Sequence, residues 1–204
     1  DAMNDLRNLR VSIEAVKAAG KHAEGALCYT TSPVHDIPHF VELAKGMAEM
    51  GCDTIAIKDM AGLLTPFTAY ELVCAIREAT ELPVHTHSHA TSGLAHMTHL
   101  KAVEAGATII DTCVGAFAEG ASHPTTQSLV AALAGTAYDT GLSLPLIEEI
   151  SAYFKEVRKI DSHTVEIETK APFPILPDVI SLVYIMSKKW CETNNATKPV
   201  DRRK

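Results

Sequence analysis

Amphipathic helices and short apolar strands alternate along most of the chain. The helical stretches carry apolar residues three and four positions apart, and most end at a glycine or a proline before a short apolar run begins. The interval is about 30 residues, the length of one strand–helix unit. Four runs are predicted as strands, at residues 26–29, 54–57, 84–89 and 108–111.

Capping signals mark where several helices begin. Asp36 is a good N-cap residue, and Thr65 followed by Pro66 combines a cap with a proline at the first helical position. A last helix is predicted over residues 145–159, because its acidic residues come early and its basic residues late, as the helix dipole favours.

This alternation indicates an α/β fold with a parallel sheet covered by helices. A barrel and a doubly wound sheet both satisfy the pattern. A closed (β/α)8 barrel needs eight strands and typically about 250 residues, so the pattern fits a partial barrel of about four to five units. We predict that residues 1–160 form this region. Residues 161–204, where three prolines interrupt the pattern, are predicted to be a separate tail with a flexible end.

Composition narrows the classes of function. The 204 residues are 47% hydrophobic and 21% charged, which is enough apolar material for a core. A net charge of -7 argues against nucleic acid as a partner, since binding phosphates needs a basic surface. There is no apolar run long enough to span a membrane. The five cysteines are scattered, which is typical of reduced thiols in a cytoplasmic protein.

Three histidines alternate at the end of the third predicted strand. Side chains two residues apart on a strand project from the same face, so His85, His87 and His89 share one side of the sheet. Imidazole is a good ligand for zinc and its neighbours in the transition series. The pattern therefore favours a metal site, although a polar strand end with solvated histidines also fits it.

Lys58 ends the preceding predicted strand and should lie on the same rim. An ammonium group repels a metal ion, but an amine that has reacted with carbon dioxide forms an anionic carbamate with oxygen ligands. Burial and a nearby metal favour the neutral amine that this reaction needs. The alternative is a salt bridge from Lys58 to Asp59 or Asp111.

The remaining candidates carry weaker signals. Asp111, on the next strand, could be a ligand, a turn residue or a carboxylate that orients a metal-binding histidine. His123 precedes a proline at a helix start, where a contact with substrate or water fits. Four further histidines are predicted to lie at the surface: His35, His39, His96 and His99.

Two segments, residues 57–66 and 83–93, make the sequence recognisable. They read IKDMAGLLTP and PVHTHSHATSG. The chain resembles the carboxyltransferase domain of biotin-dependent enzymes, a group that includes the oxaloacetate decarboxylase alpha subunit, the pyruvate carboxylase carboxyltransferase subunit and the transcarboxylase central subunit. The similarity runs from residue 1 to about residue 159.

The resemblance implies a TIM barrel holding a divalent metal, usually zinc, with cobalt or manganese as alternatives. Lys58 matches the carbamylated lysine ligand and catalytic residue of the family, and His87 and His89 match its histidine ligands. Three residues, His85, Asp59 and Asp111, then lie behind the ligands or in the substrate site. The implied partners are a biotin carrier domain or subunit and oxaloacetate or pyruvate, within an oligomer that could belong to a membrane-bound complex.

Three of the family's functional groups have no match in this sequence. The aspartate metal ligand and the arginine that grips the keto acid belong to early barrel strands, and the threonine that passes a proton to biotin follows the barrel. We therefore expect the second half of a carboxyltransferase barrel with little or no turnover by itself. The alternatives are an inactive remnant that acts by association with itself or a partner, and an acyl lyase or synthase barrel of the hydroxymethylglutaryl-CoA lyase type.

Overall fold

Four parallel strands, each followed by a helix, form the larger sheet of this protein. The structure is a computed structural model, and it describes residues 3–154, 157–159 and 165–167. The chain divides into two units, Asp1–Lys155 and Glu156–Lys204. The strands of the first unit are β1 (Glu24–Cys28), β2 (Thr54–Asp59), β3 (Val84–Ser88) and β4 (Ile109–Ile110). Its helices are α1 (Leu6–Ala18), α2 (Ile37–Glu49), α3 (Pro66–Thr80), α4 (Ala95–Glu104), α5 (Thr126–Leu133) and α6 (Leu144–Phe154), with a 3-10 turn at Ala90–Ser92.

Strand order distinguishes the two architectures that the sequence left open. The sheet runs β1-β2-β3-β4 with every pair parallel, so each strand lies beside the next one in the chain. A doubly wound sheet reverses its strand order at a switch point, whereas a barrel adds strands in sequence. The described sheet therefore has the order of a (β/α) barrel, which confirms the predicted partial barrel of about four to five units.

The core lies between one face of the sheet and helices α1 to α4. Leu27, Ile55 and Val84 point into it from three strands and are fully buried against Phe40 and Leu72 of the helices. The predicted caps are present. The Asp36 side chain accepts a hydrogen bond from the N–H of His39, and Thr65 accepts one from Thr68. No helix in the described ranges has both the length and the apolar character needed to cross a membrane.

The prediction of the last helix was wrong at its carboxyl end. Helix α6 ends at Phe154, and Val157–Lys159 forms strand β5, which pairs antiparallel with β6 at Val165–Ile167 within the second unit. The early acidic and late basic residues within 145–159 indicate only that their charges would suit a helix dipole. They carry no information about a pairing partner six residues further on. Apart from β6, the predicted tail at 161–204 and its flexible end lie outside the described residues.

His99 was wrongly predicted to be at the surface. It is fully buried on the inner side of α4, where its Nδ1 lies 3.0 Å from the hydroxyl of Thr86 on β3. Burial lowers the pKa of His99 from 6.5 to about 4, so the folded protein keeps the ring neutral. A histidine that shares a helix face with Ala95 and Ala102 is packed like an apolar residue when one hydroxyl partner lies opposite it.

His99 should make the fold sensitive to acid. Unfolded histidine binds a proton below a pH of about 6.5, while folded His99 does so only near 4, so the free energy of unfolding falls as the pH drops through this window. The loss is at most roughly 3 kcal/mol. Urea unfolding of the metal-free chain measures this loss in two variants, Thr86→Val and the double variant Thr86→Val/His99→Leu. Between about pH 7 and pH 4.5, we expect the free energy of unfolding to fall less in the double variant, which lacks His99. Equal losses in the two variants would contradict this role for His99.

Candidate metal centre

The face of the sheet opposite the helices carries the polar side chains. Along β3, Val84, Thr86 and Ser88 are buried towards the helices, while His85 and His87 lie on the other face and are partly accessible. Lys58 is the register partner of His87, so its side chain lies on that same face. Strand pairing therefore gathers a lysine and the histidines at the carboxyl ends of β2 and β3.

Three histidines converge at this edge. His87 and His89 come from the end of β3, and His123 comes from the loop between β4 and α5. Each offers a ring nitrogen, and the three nitrogens lie within 4.8 Å of one another. The ring centroids are 5.4 Å apart for His87 and His89, 4.3 Å for His87 and His123, and 4.8 Å for His89 and His123.

The Nδ1 atom of each histidine is anchored to an oxygen acceptor. That of His87 lies 2.6 Å from Oδ2 of Asp111, that of His89 lies 2.6 Å from the carbonyl of Ala121, and that of His123 lies 3.1 Å from the carbonyl of Ser88. A carboxylate or carbonyl oxygen can only accept, so each Nδ1 donates its hydrogen. In the tautomer that carries its hydrogen on Nδ1, the ring presents Nε2 with a free electron pair.

The chemistry of the three rings fits a metal ion. Nε2 of His87 is buried and has no hydrogen-bond partner among the described residues, which is costly for a polar atom unless a donor or a cation binds it. Burial lowers the pKa of His87, and the neighbouring His123 and His89 lower it further, against the opposing effect of Asp111. Neutral imidazoles whose Nδ1–H groups are held by carboxylate or carbonyl oxygens are the usual histidine ligands of transition metals.

Asp111 joins two of the predicted histidines. Its Oδ2 accepts from His87, and its Oδ1 lies 3.0 Å from Nε2 of His85. The other nitrogen of His85 lies 3.0 Å from Oε2 of Glu24 on β1. Burial acts to raise the pKa of Asp111, but the hydrogen bond from His87 and the proximity of His85 outweigh it and the pKa is lowered. Asp111 is thus a carboxylate at neutral pH, placed to hold the His87 ring.

Lys58 and Asp59 point in opposite directions from β2. Within the part of the chain that the structure describes, the Lys58 ammonium forms no ion pair with Asp59 or Asp111. Asp59 is fully buried on the helix side, where its carboxylate accepts from the N–H groups of Leu63 and Leu64 and the hydroxyl of Ser88. The structure therefore brings Lys58, His85, His87, His89 and Asp111 to one face and leaves Asp59 on the other.

Gly62 fits the loop after β2 closely against the histidine strand. Its φ is +68°, and a Cβ there would lie 2.8 Å from the carbonyl oxygen of His89. Gly62→Ala should lower the free energy of unfolding by about 1–3 kcal/mol, because it adds a backbone contact to left-handed strain. Gly20→Ala is the matched control, since Gly20 has a φ of +66° and an added Cβ there would meet no described atom within 4 Å. If urea unfolding shows the same loss of unfolding free energy for the two variants, the contact with His89 does not contribute to it.

The sequence pointed only weakly to His123. Its approach depends on a loop that returns to β3 more than 30 residues after His89, so no periodicity places it there. The available signal was its position after a strand end. Loops at the carboxyl ends of parallel strands converge, and His123 follows β4 on the same rim as His87 and His89.

A sequential parallel sheet with this polar cluster at its strand ends defines a (β/α) barrel with a candidate metal centre on its carboxyl-terminal rim. The chain belongs to the HMGL-like family, whose model matches residues 2–153. Within it, a pyruvate carboxylase subunit from Methanocaldococcus jannaschii is 56% identical over 159 residues, covering 78% of this chain and 28% of that protein. The methylmalonyl-CoA carboxyltransferase 5S subunit from Propionibacterium freudenreichii is 42% identical over 160 residues, covering 78% of this chain and 32% of that protein.

Solved structures also match this chain to carboxyltransferase domains. The carboxyl transferase domain from Rhizobium etli pyruvate carboxylase superposes with a TM-score of 0.74 at 42% identity, over 76% of this chain and 27% of that one. These findings confirm the resemblance to the carboxyltransferase domain. The chain spans less than a third of the length of the relatives it matches here. Pyruvate carboxylase from Komagataella pastoris is 30% identical over 220 residues and 99% of this chain, so that match extends past residue 159, where we expected the similarity to end.

Proposed function

We propose that this chain contributes part of the metal centre of a biotin-dependent carboxyltransferase that acts on a 2-oxo acid, pyruvate or oxaloacetate. The observation that supports it most directly is the set of three imidazoles, each with Nδ1 anchored and a ring nitrogen within 4.8 Å of the others, at the strand ends. The relatives support the choice of reaction, since they are pyruvate carboxylases and a carboxyltransferase. The Lys58 segment is typical of this group and argues against the acyl lyase alternative.

In this proposal His87 and His89 hold a divalent metal, zinc in preference to cobalt or manganese. When bound, the metal acts as a Lewis acid that polarises the 2-oxo acid and stabilises enolate charge. Asp111 fixes the ring and tautomer of His87, and Nε2 of His85 lies 3.0 Å from the other oxygen of this carboxylate. Asp59 shapes the rim by binding Leu63, Leu64 and Ser88.

The partners in this proposal are a biotin carrier domain or subunit and further protein chains in an oligomer. A Rhizobium etli carboxyl transferase domain has been solved with pyruvate and biocytin, which supports both the substrate class and the carrier. The reaction would pass a carboxyl group between the 2-oxo acid and biotin.

Pyruvate binding tests this function without requiring turnover. The chain loaded with Co²⁺ should broaden the methyl proton resonance of pyruvate, because the keto acid binds beside a paramagnetic ion. Lactate is the matched control, since it has the same carboxylate and methyl group but no keto oxygen. Equal broadening of the two acids, or none in either, would oppose the proposal.

Lys58 is proposed to bind the metal as a carbamate. Its side chain is half-buried and pairs with no carboxylate in the described residues, which supports a role other than a salt bridge. Added bicarbonate should therefore tighten Zn²⁺ binding by the wild-type chain and leave that of Lys58→Ala unchanged, as measured by competition with a chelator. Lys45→Ala is the control, because Lys45 is paired with Glu42 on α2. If bicarbonate also tightens Zn²⁺ binding by Lys58→Ala, Lys58 does not bind the metal as a carbamate.

A further inference from the structure

His123 is positioned as closely as the two strand histidines. Its ring centroid lies 4.3 Å from that of His87, which is nearer than the 5.4 Å between His87 and His89. It reaches this position from a different element, the loop between β4 and α5. Two rings from one strand and a third from a loop across the rim surround a common point, as ligands of one ion do.

The anchor of His123 is the strand that carries the other two histidines. Its Nδ1 donates to the carbonyl oxygen of Ser88, the residue between His87 and His89. Ser88 is itself fixed, because its backbone lies in β3 and its hydroxyl donates to Asp59. This leaves Nε2 of His123 as the atom available to a ligand.

The loop that carries His123 is tied to the end of β3 before His123 and is closed on itself after it. Nδ1 of His89 donates to the carbonyl of Ala121, and the N–H of Ala90 donates to the carbonyl of Ser122 at 2.8 Å. After His123, the N–H and hydroxyl of Thr125 both donate to the Glu119 carboxylate. The position of His123 is therefore determined before any ion binds, which is what a metal ligand requires.

A purely structural cluster would not account for the convergence of three ring nitrogens on one point. The hydrogen-bonding needs of the three rings are met at Nδ1 alone, and the buried Nε2 of His87 has no partner among the described residues. We propose that His123 is a third imidazole ligand of the metal, binding through Nε2 beside His87 and His89. This inference rests on the proposed function, to which it adds one ligand.

Cobalt alone is a suitable probe, because its visible spectrum reports on its ligands. The full chain, freed of metal, is titrated with Co²⁺ and compared with His123→Asn. The asparagine amide can still donate to the Ser88 carbonyl, as Nδ1 does, but it offers nothing in place of Nε2. We expect His123→Asn to bind Co²⁺ at least about 10-fold more weakly, with an altered visible spectrum, since even the loss of an outer partner weakens binding 10–100-fold.

Two further variants separate this inference from the proposed function. His87→Ala should lose the Co²⁺ spectrum, and His22→Ala, which removes an exposed imidazole at the opposite end of the sheet, should match the wild type. If His87→Ala loses Co²⁺ but His123→Asn binds it unchanged, the centre stands and His123 is not a ligand. If the wild type binds no more Co²⁺ than His87→Ala, the proposed metal centre fails as well.

The wild-type chain alone provides a second measurement that does not depend on a variant folding. Each histidine bound to Co²⁺ through Nε2 keeps one exchangeable Nδ1–H, whose proton resonance is strongly shifted by the paramagnetic ion. Three such resonances that disappear in deuterium oxide are expected, one for each of His87, His89 and His123. Two resonances would overturn the inference.

Discussion

Replacing His87 with alanine should abolish tight binding of divalent metal by this chain. His87 contacts both other rings, is held at Nδ1 by Asp111, and presents a buried Nε2 with no partner among the described residues. Its loss removes a ligand, so the affinity for Zn²⁺ should fall by more than the 10–100-fold typical of an outer partner. Metal content after gel filtration should drop from one ion per chain to a trace, and competition with a chelator gives the change in affinity.

Thermal unfolding provides an independent check on His87. A metal that binds only the folded chain stabilises it, so a chelator should lower the unfolding midpoint of the wild type and leave that of His87→Ala unchanged. His39→Ala is the matched control, because it removes an imidazole on α2 that contacts His35 and Phe40. A His87→Ala chain that still elutes with a full equivalent of zinc would show that the cluster is not the metal site.

Replacing Asp111 with asparagine should weaken metal binding by roughly 10–100-fold while the fold is retained. The amide keeps the shape of the side chain and can still accept a hydrogen bond from Nδ1 of His87. It lacks the charge that makes this ring a stronger base. Asp111→Ala, which removes the acceptor altogether, should lie at the upper end of this range.

Asp139→Asn is the matched control for Asp111. Asp139 also has a lowered pKa, caused by hydrogen bonds from the backbone of Gly135 and Gly141, but its loop is exposed and carries none of the clustered histidines. Isothermal titration with Zn²⁺ should show a change for Asp111→Asn and none for Asp139→Asn. Equal affinities for Asp111→Asn and the wild type would mean that the carboxylate does not orient a ligand.

The two residues also differ in what their loss should do to the protein. His87 is a proposed ligand, so its removal should eliminate the site, whereas Asp111 acts through His87 and its removal should leave a weaker site of the same kind. The paired measurements therefore test the order of contacts from Asp111 to His87 to metal. Similar complete losses for His87→Ala and Asp111→Asn would indicate that Asp111 is itself a ligand, as one interpretation of the sequence allowed.

Local patterns were sufficient to predict most of the elements. Apolar periodicity located four strands and the helices between them, because burial of one face imposes a fixed repeat on each element. The helix caps at Asp36 and Thr65 followed from the chemistry of the helix N-terminus. The period of two along β3 also placed His85 and His87 on one face, since alternation is a property of the extended backbone.

The sequence by itself thus determined the strand–helix repeat, the shared face of the β3 histidines and their position with Lys58 at a common rim. Only the tertiary structure decided the sequential strand order, the burial of His99, the turning of Asp59 away from the rim and the arrival of His123 beside His87. The reason is physical. Periodicity records which way a side chain points within its own element, whereas these four outcomes depend on how distant segments pack, and that depends on contacts between residues far apart in the chain.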